Sequence, residues 1–339
     1  MRRREVIGAM AALAGAVGAR RVARATASPD FAAILSRWDR DDHPDLKAVV
    51  VRAGGRLVAE HYFNDESPDE LHDMRSAGKS ITSLLVGIAR DRRLIGSLED
   101  PVERYLPEAR GSAIGNVSLE DVLTMRSGLA ANDSVAESPG NEERLDQAAD
   151  PLAFLFSIPR AMPPGSAYQY NSLTAYTAGL VVERAARMPM QEFARSALFG
   201  LLGIDRFSWA TDAAGHTKGQ GNLSITARDM ATIGQMMLGG GKFEGRRVVS
   251  APWVGESLSA RVRIGSVDPY ADGYGYFWYS KMLGVGHERI QVHFASGNGG
   301  NKIYIVPQRH WVVAISSSAY NRSYGQRRSQ DILLALLAA

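Results

Sequence analysis

Residues 76–91 read SAGKSITSLLVGIARD, and the interpretation of the rest of the chain starts from this stretch. Its apolar residues recur at helical spacing: Ile81, Leu84, Leu85 and Ile88. This period predicts an amphipathic helix over residues 76–93 that becomes largely buried. Ser76 stands at the start of the helix and Lys79 follows three residues later, so both side chains share one helix face.

The Ser76–Lys79 pair has the composition of an activated nucleophile. None of the other five lysines has a serine three residues before it. A serine hydroxyl is a weak nucleophile until a neighbouring base takes its proton. Partial burial of Lys79 near the positive end of a helix is expected to favour its neutral, basic form. The simpler alternative is that Ser76 only caps the helix and Lys79 is solvated.

A phosphate-binding loop is the competing interpretation of Gly78-Lys79-Ser80. Such a loop needs a glycine five residues before Gly78, and Asp73 stands there. A negative side chain would repel phosphate, and no buried strand precedes the segment. The sequence therefore argues against a nucleotide-binding protein.

Strand-like segments lie at both ends of the chain and helix-like segments lie between them. A hairpin is predicted over 47–63, strands at 274–280, 289–295, 301–306 and 311–317, and helices at 118–126, 172–187, 190–201, 226–238 and 326–338. This order predicts one domain over 28–339. Its body comes from about 28–75 and 265–339, and its mainly helical part from about 76–264.

The first 27 residues have the composition of a secretory leader. They contain Arg2-Arg3-Arg4, an apolar run from Val6 to Val17, and the small-residue site Ala25-Thr26-Ala27. These are the parts of a signal peptide of the twin-arginine type. We therefore expect export to the periplasm or the medium. The apolar run is shorter than the roughly 20 residues of a spanning helix, so no stable membrane span is expected once the leader is removed.

Composition excludes several classes of function. Residues 1–27 carry a net charge of +5, and the whole chain carries +3. The chain without this leader therefore has a net charge near −2 and gives no argument for nucleic-acid binding. The absence of cysteine excludes disulfides, thiolate nucleophiles and cysteine-ligated zinc. No two of the seven histidines are four residues apart in a His-Glu-x-x-His arrangement. Neither a metal nor an organic cofactor is expected.

Several motifs follow the Ser-x-x-Lys pair in a recognisable order. They are LEDPVERYLP at 98–107, SLEDVLTMRSGL at 118–129, PGSAYQYNS at 164–172 and ASGNGG at 295–300. Together they closely resemble the β-lactamase-related serine hydrolases: class C β-lactamases, D-alanyl-D-alanine carboxypeptidases, family VIII esterases and 6-aminohexanoate-dimer hydrolases. The resemblance covers about residues 45–320. It implies an α+β fold in which both termini form an antiparallel sheet flanked by helices, with a mainly helical subdomain inserted.

The resemblance also implies roles for particular residues. Ser76 matches the acylating serine and Lys79 the lysine of the helix. Tyr170 matches the tyrosine that shuttles a proton, and a Lys79 cation beside it would stabilise its phenolate. Gly297 and Asn298 match the third motif, where the N–H groups of Ser76 and Asn298 would form the oxyanion hole. Two further substrate-binding candidates are Ser172 and Ser296.

The chain departs from the family pattern at two positions. Ser172 stands where class C β-lactamases have asparagine, as the 6-aminohexanoate-dimer hydrolases tolerate. Ala295 replaces the lysine or histidine of the third motif, and His293 on the same strand face is either a replacement cation or an ordinary strand histidine. Losing the cation removes a hydrogen bond of roughly 1.5–3 kcal/mol to a substrate carboxylate.

These departures favour a small ester or amide as substrate. A β-lactamase or D-alanyl-D-alanine carboxypeptidase remains the alternative within enzymes. A relative that binds a ligand without turnover is the alternative from another class, although a non-catalytic pocket has no need of Ser76, Lys79 and Tyr170 together.

Overall fold

The computed structural model describes residues 29–339, and the predicted leader lies outside the described residues. The strands are β1 (Leu46–Ala53), β2 (Arg56–Tyr62), β3 (His72–Asp73), β4 (Ser208–Trp209), β5 (Leu223–Ile225), β6 (Lys242–Phe243), β7 (Arg246–Arg247), β8 (Val262–Arg263), β9 (Gly273–Tyr274), β10 (Tyr279–Val285), β11 (Glu288–Gly297), β12 (Asn301–Val306) and β13 (Trp311–Ser317). The helices are α1 (Phe31–Leu35), α2 (Gly78–Asp91), α3 (Leu119–Leu123), α4 (Glu142–Asp146), α5 (Pro151–Ser157), α6 (Ser172–Ala186), α7 (Met190–Ala194), α8 (Gly200–Leu202), α9 (Ala227–Leu238), α10 (Ala251–Leu258) and α11 (Ser323–Leu337). No helix among residues 29–339 has both the length and the apolar character needed to cross a membrane.

Eight strands form one antiparallel sheet in the order β2-β1-β13-β12-β11-β10-β9-β8. The hairpin β1–β2, from the N-terminal part of the chain, is hydrogen-bonded to β13 from the C-terminal part. Most of the helical segments lie between these two contributions to the sheet. The predicted α+β class, with an antiparallel sheet built from both termini, is confirmed.

Both faces of the central strands are covered. All residues of β12 are buried, although successive side chains of a strand point to opposite faces. Helix α9 packs against β1, β12 and β13, and α11 packs against β12 and β13. At the α9 contact Gly234 lies so close to Ile303 and Val312 that a Cβ would be 2.5 Å from a methyl group of Val312. The sheet is therefore the middle layer of the core.

The structure confirms most predicted elements and corrects one. Helix α9 begins at a complete capping box, in which the Thr226 side chain accepts from the Asp229 N–H and the Asp229 carboxylate accepts from the Thr226 N–H. The strand predicted over 274–280 is wrong. Residues between β9 and β10 form a turn in which Phe277 has a φ of 59° and donates its N–H to the carbonyl of Leu123.

The end of β11 lies directly against the turn that carries Ser76. A Cβ at Gly297 would come within 2.1 Å of the Met74 carbonyl oxygen and 3.1 Å of the Ala77 nitrogen. Only a residue without a side chain permits this approach. Gly297 therefore sets the distance between the third motif and the start of α2.

We predict that Gly297→Ala separates these two elements, because the added methyl group meets backbone atoms that cannot move independently. The expected loss of stability is about 1–3 kcal/mol, measured by urea unfolding. Gly284→Ala is the matched control, since a Cβ at Gly284, on β10 of the same sheet, would have no atom within 4 Å. Equal stability of the two variants would contradict the proposed close packing.

Candidate active site

Ser76 lies in a single 3₁₀ turn, Arg75–Ala77, that leads directly into α2. Arg75 has a φ of 52°, a left-handed conformation that is uncommon for a residue with a side chain. The Asp73 carboxylate holds it there by accepting the Arg75 N–H at 2.8 Å. Such conformations cluster at functional sites. Beyond the turn, Ser76 lines a cavity of about 700 Å³.

Lys79 connects the Ser76 turn to two other parts of the chain. Its Nζ donates to Ser76 Oγ at 2.9 Å, to Ser172 Oγ at 3.1 Å and to the Gln220 carbonyl oxygen at 2.7 Å. These three acceptors match the three N–H groups of an ammonium. The lysine is only 2% exposed, so each of these bonds is sheltered from water.

The charge state of Lys79 differs from the sequence-based expectation. Burial lowers the pKa of Lys79, but the nearby Tyr170 phenol and the carboxylates of Glu142 and Asp133 outweigh burial, and the net pKa is raised. Burial thus acts in the expected direction, but the expectation that Lys79 is held in its neutral, basic form is wrong because neighbouring charges outweigh burial. It missed the two acids because they lie more than fifty residues further along the chain. The resting site holds Lys79 as a cation.

The second motif meets Lys79 at the start of α6. Asn171 caps this helix by accepting the Thr174 N–H at 2.8 Å, which directs Ser172 inward and buries it completely. The aromatic ring centre of Tyr170 lies 5.1 Å from Lys79 Nζ. The structure thus brings Ser76, Lys79, Tyr170 and Ser172 together, with Ser76 and Tyr170 lining the cavity and Lys79 and Ser172 buried beside them.

The third motif also lines the cavity, next to the Ser76 turn. Ser296, Gly297 and Asn298 line the cavity at the end of β11, as expected. The Asn298 side chain is fixed by Asn321, with Nδ2 donating to Asn321 Oδ1 at 2.7 Å and Oδ1 accepting the Asn321 N–H at 2.9 Å. The third motif is thereby tied to the loop after β13.

Neither Ala295 nor His293 is among the residues that line this cavity. Residues alternate between the two faces of β11, and Phe294 and Ser296 occupy the face toward the cavity. Burial lowers the pKa of His293, so the ring is held in its neutral form. His293 is thus a strand histidine and does not replace the missing cation.

Sequence reasoning missed Lys302, which the structure places at the third motif. On β12 it is paired directly with Ser296, and its Nζ donates to Ser296 Oγ at 2.7 Å. Lys302 is 1% exposed, and Nζ lies 4.7 Å from the ring centre of Phe294. Burial lowers the pKa of Lys302 to about 7, with Asp268 acting in the opposite direction. A lysine inside an otherwise apolar strand was the available sequence signal.

The loop before α4 and the first residue of α4 also contribute acids that sequence reasoning missed. Asp133 and Glu142 line the cavity and act on Lys79 through their charge. Burial raises the pKa of Asp133, the Lys79 cation lowers it, and the net direction is upward. No motif marks these residues, because their position depends on how the loop folds over α2 and α6.

Comparison with known proteins identifies the family of this chain. The sequence profile of the beta-lactamase family matches residues 40–338. The chain belongs to the beta-lactamase family.

Individual relatives narrow the class of enzyme. The chain is 30% identical over 316 residues to a 6-aminohexanoate-dimer hydrolase of Paenarthrobacter ureafaciens, covering 87% of this chain and 77% of that one. Among solved structures, a penicillin-binding protein homologue from Caulobacter crescentus has a TM-score of 0.72 at 20% identity, covering 91% and 98% of the two chains. A class C beta-lactamase from Rhodobacter sphaeroides has a TM-score of 0.67 at 19% identity, covering 91% and 99%. The protein is a serine hydrolase of the amide- or ester-cleaving type.

We predict that Lys302→Met changes how stability depends on pH. The folded-state pKa of Lys302, about 7, lies below the 10.5 of a free lysine side chain, so between these values the unfolded chain binds the extra proton. Wild-type stability should therefore gain from rising pH in this window, and methionine removes that gain. Urea unfolding at pH 7 and pH 9.5 measures the free energy of unfolding of both proteins. The difference between Lys302→Met and wild type should favour the variant more at pH 7 than at pH 9.5.

Lys242→Met is the matched control, because Lys242 is exposed on β6. It should leave the difference between the two pH values as in wild type. If Lys302→Met and Lys242→Met behave alike, Lys302 keeps an ordinary pKa in the folded chain.

Proposed function

We propose that this protein hydrolyses a small amide or ester through an acyl-enzyme on Ser76. The observation that supports this most strongly is the 2.9 Å hydrogen bond between Ser76 Oγ and the buried Lys79 Nζ. A serine hydroxyl in permanent contact with a lysine, at the floor of a cavity, is placed for nucleophilic attack.

Lys79 and Tyr170 share the handling of the proton in this proposal. Lys79, held as a cation, lies with its Nζ 5.1 Å from the ring centre of Tyr170, so the two side chains form a pair beside Ser76. As Ser76 Oγ bonds to the substrate carbonyl carbon, its proton passes to this pair and then to the leaving nitrogen or oxygen. Water then hydrolyses the acyl-enzyme by the corresponding steps. The water oxygen bonds to the carbonyl carbon, the pair relays the proton of the water to Ser76 Oγ, and the acid product leaves.

The negative charge on the carbonyl oxygen needs donors during both steps. We assign this role to the backbone N–H groups of Ser76 and Asn298, with Gly297 permitting the close approach. The two hydrogen bonds between Asn298 and Asn321 support the assignment, because they hold the Asn298 backbone in place before substrate binds. Ser172 and Ser296 are the substrate-binding candidates beside these groups.

A short linear amide is the substrate class that we favour. The relative with 30% identity is a 6-aminohexanoate-dimer hydrolase, and Ser172 matches the Tyr-x-Ser form of the second motif. Ser172 also supplies a hydroxyl oxygen that accepts a hydrogen bond from Lys79. An asparagine at this position would place a larger amide group there. These features set the chain apart from β-lactamases while keeping Ser76, Lys79 and Tyr170.

We further propose that residues 1–27 direct export and that the mature enzyme acts outside the cytoplasm. The argument is the order of arginines, apolar run and small-residue site in this segment. The mature chain would then meet small extracellular amides or esters directly, without a cofactor.

We predict that the purified chain hydrolyses the linear 6-aminohexanoate dimer or p-nitrophenyl butyrate faster than it opens nitrocefin. Ser76→Ala should abolish each activity, and Ser134→Ala, which removes another serine hydroxyl lining the cavity, should retain it. Product release is followed by chromatography for the amide and by absorbance for the others. Preferred cleavage of nitrocefin would identify a β-lactamase, and turnover that survives Ser76→Ala would refute the acyl-enzyme.

A second prediction concerns pH. Asp133 raises the pKa of Lys79, so Asp133→Asn should let Lys79 lose its proton at lower pH. The acidic limb of kcat/KM should move down by about one pH unit or less. Glu143→Gln is the control, since Glu143 lines the cavity but is not among the groups that raise the pKa of Lys79. A limb that stays in place or moves up would contradict the role of Asp133.

A further inference from the structure

A β-turn over residues 218–221 carries one of the three acceptors of Lys79. The Gly221 N–H closes this turn by donating to the Lys218 carbonyl oxygen at 3.2 Å. The Gln220 carbonyl oxygen, inside the turn, accepts from Lys79 Nζ at 2.7 Å, the shortest of the three hydrogen bonds that this ammonium donates. The direction of one peptide carbonyl therefore completes the hydrogen bonding of Lys79.

The turn is packed between α6 and the segment that carries Ser76. A Cβ at Gly219 would lie 2.8 Å from the Cα of Gly179 in α6. A Cβ at Gly221 would lie 2.9 Å from the carbonyl oxygen of Arg75, the residue before Ser76. This packing places the turn, whereas the direction of its carbonyl groups depends on the donors that they meet.

Trp209, on β4, holds the two ends of the turn together. Its indole N–H is shared between two acceptors, with Nε1 3.0 Å from the Lys218 carbonyl oxygen and 2.9 Å from the Gly221 carbonyl oxygen. Trp209 is only 4% exposed, so both hydrogen bonds are sheltered from water. The side chain is not among those that line the cavity. Trp209 thus acts on the turn without access to a substrate.

Thr82 holds the middle of the turn. It follows Lys79 by three residues on α2, so the two side chains share one helix face. Its buried Oγ1 donates to the Gly219 carbonyl oxygen at 2.7 Å. The next carbonyl along the chain, that of Gln220, accepts from Lys79. Thr82 and Lys79 therefore bind adjacent carbonyl groups of the same turn.

We propose that Trp209 and Thr82 are positioning residues that hold the Gln220 carbonyl toward Lys79. With that carbonyl in place, Lys79 has an acceptor for its third N–H and keeps the other two directed at the serine hydroxyls beside it. If the turn relaxes, the ammonium form loses an acceptor and the pKa of Lys79 falls. The inference rests on the proposed function, in which Lys79 takes part in moving the proton of Ser76.

Trp209→Phe tests the first positioning residue, because it removes the indole N–H and keeps an aromatic ring. The labelling rate of Ser76 by a fluorophosphonate is measured against probe concentration and pH. We expect the maximal rate to fall about twofold to tenfold, the effect of one hydrogen bond, and the half-saturating probe concentration to change less than about twofold. The pH at which labelling rises should move down by about one unit or less.

Trp253→Phe is the matched control for Trp209→Phe. Trp253 is also buried, but its Nε1 has no hydrogen-bond partner among residues 29–339. The substitution removes the same atoms without removing a hydrogen bond. The rate and its pH dependence should therefore stay as in wild type.

Thr82→Val tests the second positioning residue, because it replaces the hydroxyl by a methyl group of similar size. It should change the rate and the pH dependence in the same direction as Trp209→Phe. Thr82→Ser keeps the hydroxyl and should label like wild type. Thr177→Val is the control, since the buried Thr177 hydroxyl donates to the Leu173 carbonyl within α6.

Urea unfolding shows which variants are folded, and either Trp209→Phe or Thr82→Val is sufficient for the decision. Wild-type kinetics in the folded variant would overturn the positioning role. A lower rate without a shift in pH dependence, or equal changes in the control variants, would also overturn it, because a general loss of packing has those effects. Failure of wild type to label at all would instead refute the proposed function.

Discussion

The buried ammonium of Lys79 is the constraint on which the site depends. Its three acceptors come from the turn before α2, from the start of α6 and from the loop that carries Gln220. An interior charge that lost one of these partners would be strongly destabilised. The three segments are therefore held together by a requirement of charge satisfaction, and Ser76 is fixed where they meet. The same bonds that complete the fold also prepare the hydroxyl for reaction.

Local sequence patterns predicted the parts of the fold that local forces decide. The predicted strands 301–306 and 311–317 match β12 and β13, because continuous apolar runs fit a sheet covered on both faces. The helix after Ser76 and the capping box at Thr226 follow from side-chain chemistry within a few residues. The strand predicted over 274–280 fails because the Phe277 N–H bonds to Leu123, a residue from a different part of the chain. Nothing within the aromatic segment itself could indicate that bond.

The candidate site shows the same division. Motifs predicted Ser76, Lys79 and Tyr170 as site residues, because each stands at a characteristic place in a short sequence pattern. Lys302 was missed because its relation to Ser296 exists only once β11 and β12 pair. Motif reasoning looked for a replacement cation along β11, at His293, whereas Lys302, which donates to Ser296 Oγ, belongs to the neighbouring strand β12. The charge of Lys79 was misjudged for a related reason, because Asp133 and Glu142 reach it through a loop.

The central claim is that contact with Lys79 makes Ser76 the reactive nucleophile of this chain. Intact-mass spectrometry after exposure to a fluorophosphonate tests it directly, with wild type, Ser76→Ala and Lys79→Met compared under identical conditions. We expect wild type to gain one adduct, Ser76→Ala to gain none, and Lys79→Met to react at least a hundredfold more slowly, about the smallest contribution of a positioned acid–base group. An adduct on Ser76→Ala, or full reactivity of Lys79→Met, would contradict the account.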